Sequence, residues 1–199
     1  MSENKLDLCI VPRWGALQNM EWYDWLCAQE VVQSNFDRVI RPDLEDHETP
    51  TIEAWVSTLQ AAVGTSPEAI GRTFFVGHSV GCQAIVRFLA TLPEGSQAAG
   101  ALLVAGWWQL DEPWESIQPW VLDESDPASR EMLARAKTSS AQYRVLISDN
   151  DPFTANWRET IREWQEHLRA EVFVCPEAGH FNGAESPEAA RSLNAYFKK

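Results

Sequence analysis

Basic residues are scarce in this chain. Its 16 lysines and arginines face 29 aspartates and glutamates, a formal net charge of −13 over 199 residues. That balance argues against nucleic acid or an anionic membrane surface as the main partner, and its plainer consequence is solubility. Long hydrophobic runs are absent, and no stretch nears the ~20 apolar residues of a membrane span. Met1 to Lys5 is polar and the apolar run after it is short, so no signal peptide is expected. The four cysteines, Cys9, Cys27, Cys82 and Cys175, have no metal-type spacing. Three fall in or beside expected core elements, so they read as reduced, small apolar residues of a cytoplasmic protein. No metal or organic cofactor is expected. Repeats, low-complexity tracts and linkers are missing too, which leaves one domain over residues 1–199.

What is present is an alternation of strand-like and helix-like segments, the pattern of an α/β fold. Leu6–Val11, Arg38–Ile40, the apolar run before Gly77, Ala98–Val104, Tyr143–Ile147 and Glu171–Cys175 read as six strands. Helices are expected over Glu21–Gln33, Thr51–Val63, Val80–Thr91 and Arg130–Lys137. Another carries a stripe at Phe153, Trp157, Ile161, Trp164 and Leu168, and a terminal one opens at Ser186-Pro187-Glu188. Gly64 to Gly71 reads as a turn. From residue 107 to about 126 no period fits: Trp107, Trp108, Trp114 and Trp120 alternate with prolines and acidic residues. Such a segment is either a functional loop or lid, or a cover for a core edge.

The chain is organised around Gly77-His78-Ser79-Val80-Gly81, a G-x-S-x-G pattern between the third strand and the following helix. A strand that turns directly into a helix around one residue strains that residue's backbone and exposes its side chain at the strand's carboxyl end. The flanking glycines admit neighbouring backbone without a Cβ clash. Ser79 is thereby a candidate nucleophile at a helix N-terminus, where backbone N–H groups favour developing negative charge.

A serine hydroxyl needs a base. Of the four histidines, His78 adjoins Ser79 and points away, His47 sits in a polar loop, and His167 falls on the exposed side of its helix. His180 alone follows a strand in a glycine-flanked loop. The acid that orients it is Asp151 or Asp149, both after the fifth strand. Asp151 is preferred, although an Asp before Pro152 could also cap a helix. The order nucleophile, acid, base is that of α/β-hydrolases. A right-handed parallel sheet of order 2-1-3-4-5-6 sets the loop after the first strand beside Ser79. The oxyanion donors are then the N–H of Val80 and that of Arg13 or Trp14. Trp107, Trp108, Phe153 and Phe181 are candidates for the substrate pocket.

Cys9-Ile10-Val11-Pro12 before a Trp-rich helix, Pro42-Asp43, Trp55, Val76 to Gly81, Asp151-Pro152-Phe153 and Ala178-Gly179-His180-Phe181 together resemble the small serine hydrolases that include retinoblastoma-binding protein 9. The resemblance covers nearly the whole chain. It implies a minimal α/β-hydrolase fold, a three-layer sandwich with helices on both faces of a six-stranded parallel sheet. It implies the triad Ser79, Asp151 and His180, and action on small esters or aminoacyl compounds in the manner of a carboxylesterase. The family usually carries Gly after the proline of the first loop, where this chain has Arg13, which is expected to narrow the oxyanion loop or to place a positive charge near the substrate. An idle hydrolase fold serving as a protein-binding scaffold is the alternative, and acyl transfer to an acceptor other than water would use the same residues.

Overall fold

The computed structural model describes residues 5–17, 20–44 and 46–198. Six strands, β1 (Leu6–Val11), β2 (Phe36–Ile40), β3 (Thr73–His78), β4 (Gly100–Val104), β5 (Tyr143–Ser148) and β6 (Glu171–Cys175), form one sheet. Their order is β2-β1-β3-β4-β5-β6 and every neighbouring pair is parallel. The order reverses between β1 and β3, so the loops after these two strands meet at the carboxyl edge.

Pleating divides the strand residues between two cores. Cys9, Val11, Phe75, Leu103, Val145 and Ile147 face one way and pack on α3 (Ile52–Val63), α5 (Val80–Ala90), α6 (Pro127–Thr138) and α7 (Trp157–Leu168). Leu8, Ile10, Phe74, Val76, Leu102, Val104 and Leu146 face the other way, against α1 (Tyr23–Ala28), α2 (Glu30–Asn35) and α8 (Pro187–Phe197). Both faces of the central strands are apolar because both are covered, as a parallel sheet requires. Among the described residues no helix is long and apolar enough to cross a membrane.

Several boundaries differ from the sequence expectation. The helix expected over 21–33 is broken at Gln29, whose backbone is extended (ψ 146°). Tyr23 and Leu26 are buried from α1, and Val31 and Val32 from α2; these positions do not share one face of a continuous helix, and the break re-aims the second pair. The turn 64–71 contains the short helix α4 (Pro67–Gly71), capped by Ser66. The helix expected from Arg130 starts at Pro127, with Asp126 accepting the Ser129 amide. Phe153 lies before α7 and not on its stripe. Thr51 and Ser186 cap α3 and α8.

Candidate active site

Ser79 sits between the last residue of β3 and the first of α5, at φ 53° and ψ −117°. A non-glycine residue with positive φ persists only where its surroundings over-determine it, and here they do. The Ser79 amide bonds the Val104 carbonyl at 2.9 Å, and its own carbonyl receives the Cys82 amide. The two glycines admit close neighbours. A Cβ on Gly77 would lie 2.7 Å from Ile85 Cδ1 and 2.9 Å from the Cys82 nitrogen, and one on Gly81 would lie 2.3 Å from the Val11 carbonyl oxygen. Gly81 therefore lets α5 approach the end of β1, which draws the following loop beside Ser79.

That loop has a near-complete hydrogen-bond ledger. The Arg13 amide donates to Tyr23 Oη at 3.2 Å, and the Arg13 carbonyl accepts from Ala16. The Trp14 carbonyl accepts from Arg13 Nη1 at 2.6 Å, and the Gly15 amide donates to His47 at 2.8 Å. The Trp14 N–H has no partner among the described residues. Val80 opens α5, so its N–H has no intrahelical acceptor. These two amides are the free donors flanking Ser79. The Arg13 side chain does not reach across the cavity as a free charge: Nε and Nη2 both lie 2.5 Å from Glu21 Oε1.

The base loop is built from β5 outward. Ser148 begins a run of polar side chains, three of which hold three consecutive amides of the loop after β6. Ser148 Oγ accepts from Ala178, Asp149 Oδ1 from Glu177 and Asn150 Oδ1 from Gly179, at 3.0, 2.8 and 2.7 Å. Ser148 and Asn150 were not singled out in the sequence; the signal available was the polar Ser-Asp-Asn-Asp run directly after an apolar strand. So anchored, the loop presents His180 with Nδ1 2.7 Å from Asp151 Oδ2, both side chains buried. Asp151 Oδ1 accepts the Phe153 amide, so this residue braces its own turn and does not cap α7, whose N-cap is Asn156. With Nδ1–H donated to the carboxylate, Nε2 is left as the basic nitrogen.

Ser79, Val80 and His180 line a cavity of about 220 Å³ together with Arg13, Trp14, Trp107, Leu110, Trp114, Ile117, Phe153 and Asn182. Trp107 is placed by Gln83, whose amide bonds the Trp107 carbonyl at 2.6 Å, and its indole Nε1 donates to Ser79 Oγ at 3.3 Å. Phe153 stands edge-on to the His180 ring. Two expected pocket residues lie elsewhere. Trp108 lies past the end of β4, in irregular chain, and is buried against Trp164 and stacked on His167. This also corrects the reading of His167 as exposed. Phe181 is buried in the core with Leu193 and Ala189, and its carbonyl accepts the Trp22 indole N–H. Leu110, Trp114, Ile117 and Asn182 complete the lining instead. A larger groove of about 870 Å³, over α3, α5 and α6, contains neither Ser79 nor any histidine.

The sheet order is that of the α/β-hydrolase fold. The family model for Serine hydrolase matches residues 8–197, and the chain belongs to that family. YdeN of Bacillus subtilis (strain 168) is 28% identical over 204 residues, covering 96% of this chain and 95% of YdeN. The crystal structure of the B. subtilis ydeN gene product superposes with a TM-score of 0.79 at 20% identity, covering 98% of this chain and 100% of that one. The same fold recurs at lower identity. A carboxylesterase of the thaumarchaeon Nitrososphaera gargenis has a TM-score of 0.65 at 12% identity, covering 98% and 90% of the two chains. MGS-M2, an alpha/beta hydrolase from a deep-sea metagenome, has 0.62 at 14%, covering 100% and 91%.

Proposed function

We propose that Ser79, His180 and Asp151 act as a catalytic triad that hydrolyses small esters with neutral, apolar acyl groups through an acyl-enzyme. The observation that carries the reading is the 2.7 Å contact between Asp151 and His180 beside a serine held at positive φ in one cavity. Ser79 Oγ attacks the acyl carbonyl carbon and its proton passes to His180 Nε2. Asp151 balances the imidazolium. The negative oxygen of the tetrahedral species receives the N–H groups of Val80 and Trp14, each such donor worth roughly 10²–10³ in kcat. Collapse breaks the bond to the leaving alkoxide, which takes the proton from Nε2. Water then attacks the acyl carbon and gives its proton to His180 Nε2; the bond to Ser79 Oγ breaks, Oγ takes that proton back, and the acid departs.

The acyl preference follows from the lining. Trp107, Leu110, Trp114, Ile117 and Phe153 are apolar, and the one cation, Arg13, is paired with Glu21. The carboxylesterase among the structural neighbours agrees with an ester substrate. The segment 107–126 serves as a partial lid, contributing Trp107, Leu110, Trp114 and Ile117. The scaffold alternative drew on Arg13 obstructing the oxyanion loop, and the pairing with Glu21 removes that ground. The narrower likeness to the hydrolases that include retinoblastoma-binding protein 9 rests on the quoted motifs. A cytoplasmic location, with small-molecule substrates and neither nucleic acid nor membrane as partner, belongs to the same reading. It is supported by the acidic charge and by Cys9 and Cys82, buried as thiols.

The test is labelling with a fluorophosphonate probe together with turnover of p-nitrophenyl butyrate. The wild type should label at Ser79 and turn over, and Ser79→Ala should do neither, with kcat lower by on the order of 10⁴–10⁶. Undiminished turnover by the alanine variant would remove the triad.

A further inference from the structure

We infer that Tyr23, held by Glu21 and His78, is a positioning residue that fixes the oxyanion loop and the base loop to one common point; the inference rests on the hydrolase reading above. Two loops must keep their relative places for that chemistry, one carrying the Trp14 amide and the other carrying His180. They leave different strands, and no bond joins them directly among those described.

A buried polar chain joins them indirectly. The Arg13 amide donates to Tyr23 Oη at 3.2 Å. Tyr23 Oη lies 2.8 Å from His78 Nδ1, and His78 Nε2 lies 2.8 Å from the His180 carbonyl oxygen. Directions along this chain follow from the two ends. A carbonyl only accepts, so His78 Nε2 carries the proton and donates to His180. In the neutral imidazole, the form that full burial favours, His78 Nδ1 is then an acceptor, and the Tyr23 hydroxyl donates to it. That leaves the Tyr23 oxygen lone pairs for the Arg13 N–H, so each group has one defined role. The Arg13 amide is thereby turned away from the cavity, which is why Trp14, and not Arg13, offers the free donor.

Glu21 holds the same unit from the side. Its Oε1 takes the Arg13 guanidinium, which ties Glu21 to the loop, and its Oε2 lies 3.4 Å from Tyr23 Oη and 3.2 Å from His78 Nδ1, with the Tyr23 proton the one hydrogen shared among these three atoms. Glu21 is itself at φ 57°, a backbone position that persists only under such constraint. The rings give the unit stiffness: Trp22, Tyr23 and His78 pack at centroid distances of 4.8, 5.5 and 5.9 Å. Movement of the Tyr23 hydroxyl would therefore shift the Arg13–Trp14 peptide and the His180 backbone together, and misplacement by about 1 Å can lower a rate about 10²-fold.

The experiment compares wild type, Tyr23→Phe, Glu21→Gln and Ser79→Ala. The readouts are kcat and KM on p-nitrophenyl butyrate, the melting temperature, and Ki for phenylboronic acid, whose tetrahedral adduct on Ser79 sets an oxygen toward the oxyanion donors. Tyr23→Phe keeps the ring and loses the hydroxyl. It should lower kcat by about 10- to 100-fold with KM within about threefold, and raise Ki by the same factor as kcat/KM falls. Glu21→Gln keeps the shape, should show the same pattern at smaller size, and decides the matter if Tyr23→Phe does not fold. Values of kcat and Ki within about twofold of wild type would overturn the inference, as would a fall in kcat with unchanged Ki. The hydrolase reading fails separately: Ser79→Ala would then turn over like the wild type.

Discussion

Asp151 Oδ2 stands 2.7 Å from His180 Nδ1, while Asp149, two residues earlier, gives its carboxylate to the Glu177 amide at 2.8 Å. The two acids that follow β5 are thus divided between orienting the imidazole and tying down the loop that carries it. An Asn at either position keeps an acceptor oxygen for the backbone amide. Asp151→Asn should therefore stay folded yet lose about 10⁴ in kcat, because an amide cannot balance the imidazolium or hold the tautomer. Asp149→Asn should keep kcat within roughly tenfold, about 1.4 kcal/mol of barrier. Measurement of kcat and melting temperature on both variants decides between them, and a reversed result would make Asp149 the acid.

Gly81 gives a second test, independent of any titrating group. A Cβ there would meet the carbonyl oxygens of Val11 at 2.3 Å and Pro12 at 2.6 Å, both backbone and neither free to swing aside. Gly81→Ala should force α5 from the end of β1 and separate the Val80 and Trp14 amides. Overpacking of this kind costs about 1–3 kcal/mol, and loss of one oxyanion donor costs roughly 10²–10³ in kcat. An alanine variant with wild-type kcat would show that the two amides do not work together.

The indoles of the segment 107–126 separate by role. Trp114 is 40% exposed, lies edge-on to Trp14 and lines the cavity, whereas Trp108 and Trp120 are buried against Trp164 and Trp55. Trp114→Ala should shift acyl-chain preference on a series of p-nitrophenyl esters with little change in melting temperature. Trp108→Ala and Trp120→Ala should each cost about 3–5 kcal/mol of stability and leave the preference unchanged. A stability loss confined to Trp114→Ala would reverse the assignment.

That division shows where sequence reading stopped. The six strands, their order and the Ser79, Asp151 and His180 positions rest on local signals: apolar runs, a glycine-flanked serine, and polar residues at strand ends. Trp108 and Trp114 carry no such signal, because in an irregular segment the direction of a side chain is set by tertiary contacts and not by a period. Tyr23 is legible only as a member of the helix expected over Glu21–Gln33; its bonds to Arg13 and His78 span sequence separations of 10 and 55 residues. Arg13 looked like an obstruction in the sequence, since Glu21 could not be seen to face it. Phe153 joined the helix stripe by spacing, but the turn braced by Asp151 ends before that helix begins.

His78 allows a prediction about acid sensitivity. It is fully buried, and burial pushes its pKa below the ordinary 6.5 despite the contact with Glu21 that pulls the other way. The groups facing it are Tyr23, Glu21 and the His180 backbone and ring. In the folded state the imidazole resists protonation, while in the unfolded state it takes a proton near pH 6.5. The unfolded state therefore binds more protons below that pH, and stability must fall as pH is lowered, by at most about 1.4 kcal/mol per pH unit for one group. Glu21 adds a loss of the same sign further down. Burial raises its carboxyl, but its contacts with His78 and its ion pair with Arg13 outweigh that and hold it below the ordinary 4.5, so its contribution is present above 4.5 and disappears as pH falls through its lower folded value. His78→Gln removes the first titration and keeps an N–H donor for the His180 carbonyl. Urea midpoints between pH 7.5 and 5 should decline for the wild type from about pH 6.5 downward, and the variant, less stable at pH 7.5, should show the flatter slope. Parallel slopes for the two proteins would mean that His78 is protonated in the fold, with Glu21 as its counter-charge.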